Sequence, residues 1–247
     1  MAGHSKWANI KRRKAQVDDQ KGRVFSRISR ELSVAARQGG CNPEANPRLR
    51  EAMRKAREAN LPAENVQRAI LKGAGELEGM EFEEILYEGY GPGGVAILVE
   101  IVTDNRRRTA AAIRHLFAKY GGSLGEAGCV AWMFEKKGVV LVAPEADEDE
   151  VLATALEAGA EDFSREAGAA YEITSDAQGH EAVRSALEAA GLPVAEAELT
   201  MVPRSTIRVE EPDASRALEL LLALDDHEDV QRVHANLGTD DRRAGTG

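Results

Sequence analysis

Apolar residues recur every three to four positions from residue 23 onward. At about 100° per residue, Phe25, Ile28, Leu32, Ala35 and Ala36 share one arc, so residues 23–38 read as an amphipathic helix. Gly39-Gly40 ends it. Asn46-Pro47 then supplies a cap followed by proline at the first helical position, and Leu49, Ala52, Met53 and Ala56 give a second helix its apolar face, as far as Asn60. A third helix opens at Pro62, turns Val66, Ala69 and Ile70 inward and stops at Gly73. Three short helices with small connections predict a helical domain.

The period changes after Glu76–Glu84, an acidic stretch with a glycine that reads as a linker. Val95–Val102 is almost all apolar or β-branched and predicts a strand; Arg106–Tyr120 predicts a helix with Ala110, Ile113, Leu116 and Phe117 inward; Val130–Phe134 predicts another strand. A series then runs strand 139–143, helix 147–158, strands 161–165 and 170–174, helix 178–190, strand 194–202. Thr206–Val209, a helix over 213–225 and Val230–Asn236 supply strand, helix and strand again. The two flanking sets sum to one βαββαβ unit and the middle series is a second, each the ferredoxin-like split motif. The expected fold class is therefore α+β in three domains, with one ferredoxin-like βαββαβ domain inserted in the other. The boundaries read from the chain are a basic arm at 1–22, a three-helix domain at 23–78, a discontinuous α+β domain at 79–136 and 204–238, the inserted α+β domain at 137–203 and a flexible tail at 239–247.

Composition narrows the function classes. The 247 residues are 43% apolar and 30% charged, a globular balance. The longest apolar run is six residues, Cys129–Phe134, far short of the roughly 20 a membrane helix needs, and no signal-peptide pattern opens the chain. Two cysteines, Cys41 and Cys129, suit a reducing cytosol and exclude a disulfide framework. A cytoplasmic protein without a membrane partner is expected.

Charge changes the picture more. Residues 1–78 carry 17 Lys and Arg against 9 Asp and Glu, a net of +8, whereas residues 79–247 carry 15 against 33, a net of −18. That division suggests a nucleic-acid-binding region joined to acidic domains. In the arm, Lys6, Lys11, Arg12, Arg13 and Lys14 precede the first acid, Asp18, and such a run is relieved by phosphates. Trp7 has two readings: a platform for an unpaired base, or an apolar anchor that folds the arm onto the body. Arg23, Arg27, Arg30 and Arg37 lie opposite the apolar face of the first helix, a nearly pure arginine stripe whose planar forks suit phosphate oxygens. Arg106, Arg107 and Arg108 fill the first turn of a helix, where the macrodipole disfavours cations. A local conflict of that kind is where function is expected.

Other chemistry is weakly marked. The glycines of 89–94 precede a strand, whereas phosphate loops follow one, so this segment reads as a turn. The histidines at 4, 115, 180, 227 and 234 show no metal-ligand spacing, and no nucleophile motif is present. No cofactor, metal or catalytic residue is expected. Residues 145–166 hold nine acids and one arginine, which repel phosphate and suit either solvent or a basic protein.

MAGHSKWANI at 1–10, the Phe25…Arg30-Glu31-Leu32…Ala35-Ala36-Arg37 helix, Asn42-Pro43, Asn46-Pro47-Arg48-Leu49, Tyr90–Gly94 and Thr103-Asp104-Asn105-Arg106 together resemble the YebC/PmpR family over nearly the whole chain. The resemblance implies a three-domain cytoplasmic protein with a helical N-terminal domain and two α+β domains. It further implies a probable transcriptional regulator that binds DNA, without enzymatic activity; close members, a mitochondrial translational activator among them, act on translation at the ribosome. The family often has histidine at Arg12 and glycine at Cys41.

The expected function is thus a non-catalytic, DNA-binding regulator of gene expression. The alternatives are a ribosome-associated translation factor on structured RNA and, further off, a small-molecule-sensing or enzymatic α+β protein. The expected partners are DNA or ribosomal RNA, with ribosomal or transcription proteins meeting the acidic domains.

Overall fold

The computed structural model describes residues 7, 21–78, 81–165 and 170–238. The described residues form seven α-helices and two four-stranded antiparallel sheets, the α+β class expected. They fall into two compact units, one reaching Ala131 and resuming at Ile207, the other spanning Trp132–Thr206.

In the first unit, α1 (Lys21–Gly39), α2 (Pro47–Glu58) and α3 (Ala63–Gly73) follow the apolar pattern closely. Leu32, Ala35, Leu49, Ala52, Ala56 and Ala69 make one core, with Phe25, Ile28, Met53 and Ile70 against it. Burying each large aliphatic side chain here contributes about 1.5–3 kcal/mol. Asn46 caps α2 by accepting from the Leu49 amide at 3.0 Å and donates to the Ala35 carbonyl at 2.8 Å, which ties α2 to α1. Gly73 permits the close contact of α3 with α1: a β-carbon there would lie 2.1 Å from the Ser33 carbonyl oxygen.

The rest of the unit comprises β1 (Glu83–Tyr90), β2 (Ala96–Thr103), α4 (Arg106–Lys119) and β3 (Ser123–Leu124), then α7 (Asp213–Asp225) and β8 (Val230–Ala235) after the insertion. The sheet order is β3-β1-β2-β8. Alternate residues of β2, Ile97, Val99 and Ile101, share one core with Ile113 and Phe117 of α4 and Ala217, Leu220 and Leu224 of α7. The β1–β2 hairpin turns through Tyr90–Gly94, where Gly93 and Gly94 adopt positive φ of 68° and 78°, as the turn reading anticipates.

Three expectations change here. The stretch read as a linker already contains the start of β1, hidden because Glu83, Glu84, Glu88 and Gly89 dilute its alternation. Residues 130–134 are not a strand of this domain: Ala131–Met133 is one 3-10 turn and Phe134 begins the next strand. At 206–209 only a single bridge forms, Ile207 to Leu237. The discontinuous domain therefore runs ββαβ, insertion, αβ along the chain rather than βαββαβ, and its antiparallel sheet places the β1–β2 hairpin at its centre, an order that differs from the ferredoxin-like one expected.

The second unit contains β4 (Phe134–Val142), α5 (Glu148–Glu157), β5 (Asp162–Arg165), β6 (Tyr171–Asp176), α6 (His180–Ala189) and β7 (Val194–Pro203) in the sheet order β5-β6-β4-β7. This is βαββαβ as read. Its acidic run has a local use: Asp147 caps α5 through the Glu150 amide at 3.0 Å, and Glu148, Asp149 and Glu150 sit at the positive end of the helix.

Candidate nucleic-acid interface

The arginine stripe of α1 does not face solvent as a free surface. Arg23 pairs with Asp226 at 2.7 Å, Arg27 with Asp225 at 3.6 Å and Arg30 with Asp229 at 3.3 Å. Arg27 also donates to the Asp225 carbonyl and Arg30 to the Glu228 carbonyl. These acids lie at the C-terminal end of α7 and just beyond it, where helix carbonyls lack intrahelical partners and cations are favoured. Arg37 pairs instead with Glu81 at 3.1 Å. The stripe read from the sequence as a phosphate surface is thus engaged internally. A single helix pattern shows which face is basic, but not that an acidic segment some 200 residues away comes to meet it.

Trp7 takes the anchor reading. It is 2% exposed, packs into the core of the α+β body, and its indole nitrogen donates to the Val233 carbonyl at 2.8 Å. A ring so enclosed cannot stack on a base, so Trp7 leaves the set of candidate contact residues. Lys6, Lys11, Arg12, Arg13 and Lys14 lie outside the described residues.

The arginines of α4 divide. Asn105 is the cap, accepting from the Arg108 amide at 3.1 Å. Arg108 reaches Asp104 at 2.9 Å and Asp229 at 3.0 Å, so two carboxylates offset the dipole conflict at this end of the helix. Asp229 is fully buried, and the Thr109 hydroxyl donates to it at 2.7 Å. Burial pushes the Asp229 carboxyl upward, but the Thr109 hydroxyl and the Arg108 and Arg30 guanidiniums outweigh it and hold the group below the ordinary aspartate value.

Arg106 and Arg107 remain exposed and have no ion pair among the described residues. Arg114 joins them: it is exposed, also without such a pair, and lies two turns after Arg107 on the same side of the helix. Arg106 and Arg114 both act on the Tyr87 hydroxyl, which burial pushes up and these two guanidiniums pull back down. Arg106 and Arg114 therefore lie near Tyr87 of β1. Arg114 stands outside any run of charge and was not among the sequence-predicted contacts; the seven-residue spacing from Arg107, across Ala110 and Ala111, is the signal that finds it. This face presents fixed positive charge. Among the described residues no group of three or more His, Cys, Asp or Glu could hold a metal ion, and no helix is long and apolar enough to cross a membrane.

Residues 5–76 match the model of the TACO1/YebC protein N-terminal domain, and residues 82–237 match that of the TACO1/YebC second and third domain. A "Probable transcriptional regulatory protein" of Pelotomaculum thermopropionicum is 56% identical over 98% of this chain and 100% of its own length. One of the same description from Dictyoglomus thermophilum is 53% identical over 98% and 97%. The crystal structure of a conserved hypothetical protein from Aquifex aeolicus superposes with a TM-score of 0.82 at 46% identity, covering 93% of this chain and 96% of that one. Matches on both sides of residue 80, at this identity and over nearly full length, place the chain in the TACO1/YebC family, whose relatives here are described as probable transcriptional regulators.

Proposed function

We propose that this protein is a non-catalytic, DNA-binding regulator of transcription acting in the cytoplasm, and that it contacts phosphates through the exposed face of α4. The observation that carries the reading is the contrast among its arginines. Arg23, Arg27, Arg30 and Arg108 are neutralised by internal acids, whereas Arg106, Arg107 and Arg114 share one exposed face without an ion pair among the described residues. Guanidiniums left in that state neutralise phosphates and release counterions. The basic residues of the arm, Lys6, Lys11, Arg12, Arg13 and Lys14, would extend the contact, and the acidic inserted unit would offer a surface to a basic protein partner. The description of the relatives as transcriptional regulators supports DNA as the polymer.

Fluorescence anisotropy with a mixed-sequence DNA duplex and a structured RNA of equal charge tests this. Duplex affinity should fall about 40-fold between about 50 and 200 mM salt if three phosphates are contacted. Preference for the RNA, with sedimentation of the protein in ribosomal fractions of a lysate, would move the function to translation.

A further inference from the structure

The helical domain and the α+β body have separate apolar cores that share no residue. What joins α1 and α2 to the body is polar: Arg23, Arg27 and Arg30 on residues 225–229, Arg37 on Glu81, Arg48 and Gln38 on Glu84, and the Arg30 guanidinium over the Phe82 ring at 5.7 Å. The oxygens that meet the stripe are three carboxylates and two main-chain carbonyls strung along five consecutive residues, a chain of anionic and partly anionic oxygens. A phosphodiester backbone offers the same kind of acceptor to the same forks.

We propose that the arginine stripe of α1 is a second phosphate-binding surface, covered in the free protein by residues 225–229, and that nucleic acid displaces this segment to reach Arg23, Arg27 and Arg30. The idea rests on the nucleic-acid reading above. Two features make displacement feasible. The pairs are graded, from Arg23–Asp226 with side chains 44% and 45% exposed to Arg30–Asp229 at 17% and 0%. The outer pair is weak and screened by salt, so opening starts at Arg23 and proceeds inward. When α1 leaves, Asp229, the most deeply buried of these carboxylates, keeps Arg108 and the Thr109 hydroxyl.

The test uses the full chain. Asp225→Asn with Asp226→Asn removes two covering charges, and Glu210→Gln with Glu219→Gln, both exposed, removes two charges from the same body as a control for net charge. A donor on Cys41 and an acceptor on Glu219→Cys, in a Cys129→Ser background, report separation of the helical domain from α7. The covering-acid variant should bind duplex DNA about three- to tenfold more tightly than the control variant, and saturating duplex should lower energy transfer in the labelled chain that keeps its covering acids. If Asp225→Asn prevents folding, Asp226→Asn alone, at an exposed site, should still tighten binding about twofold over a single Glu219→Gln control. Equal affinity in covering-acid and control variants, or unchanged energy transfer at saturation, overturns the proposal while leaving DNA binding intact. Failure of every form to bind either duplex DNA or structured RNA overturns the functional reading, and the displacement with it.

Discussion

Glu88 shows how one side chain can carry a loop. It is 5% exposed on β1, and its two oxygens accept from the amides of Gly128, Val130 and Ala131 at 2.6–2.8 Å. Burial alone would raise its pKa, but the three amides more than compensate and lower it. Glu88→Gln keeps the shape but turns an NH2 group toward amide donors, so a loss of about 1–3 kcal/mol is expected in thermal or denaturant unfolding. Trp7 offers a second case. Trp7→Phe removes the bond to the Val233 carbonyl and should cost about 1 kcal/mol, whereas Trp7→Ala empties a core site and should cost about 3–5 kcal/mol. Differential scanning calorimetry separates the two. Neither role was legible beforehand: no motif marks Glu88, and Trp7 stood between two readings that only its neighbours in space decide.

At the scale of elements, the apolar period carried the helices and the order of elements in the inserted unit, whose first strand starts at Phe134 rather than 139, because each buries a regular stripe or alternating face. It failed at β1, 130–134 and 206–209, where burial is interrupted by charge or reduced to a single bridge. The first turn of α4 was the clearest local conflict in the sequence, and the structure resolves part of it through Asp104 and Asp229. Arg106 and Arg107 keep the unfavourable position. Replacing both with Gln should leave stability unchanged or raise it by about 0.3–1 kcal/mol per residue at low salt, while Asn105→Ala, which removes the cap, should lower it by about 1 kcal/mol. Urea unfolding at low ionic strength checks both signs.

For the molecule as a whole, acid sensitivity should come in two stages. Burial lowers the pKa of His227, whose Nδ1 accepts from the Asp229 amide at 3.2 Å, so the unfolded chain takes up its proton first. Stability from this group is lost as pH falls below about 6.5. Glu84, Glu88 and Asp229 are also held below their ordinary values, Glu84 chiefly by Arg48. Their stabilisation is present above the unfolded carboxylate range and is lost as pH falls below about 4 toward the lower folded values. Melting temperatures between pH 8 and 3 should show both stages, and His227→Gln should abolish the first.

Charge division along the chain pointed to a basic half and an acidic half, yet the fold uses much of that contrast internally through the α1–α7 pairs. The α4 face keeps exposed arginines for a partner, and one measurement bears on it most directly: the slope of log affinity for duplex DNA against log salt, for the wild-type chain and for Arg106→Gln/Arg107→Gln/Arg114→Gln. The account predicts a folded variant whose affinity drops uniformly across sequences and whose slope flattens by up to about 2.7. A variant that binds with wild-type affinity and an unchanged slope would contradict it.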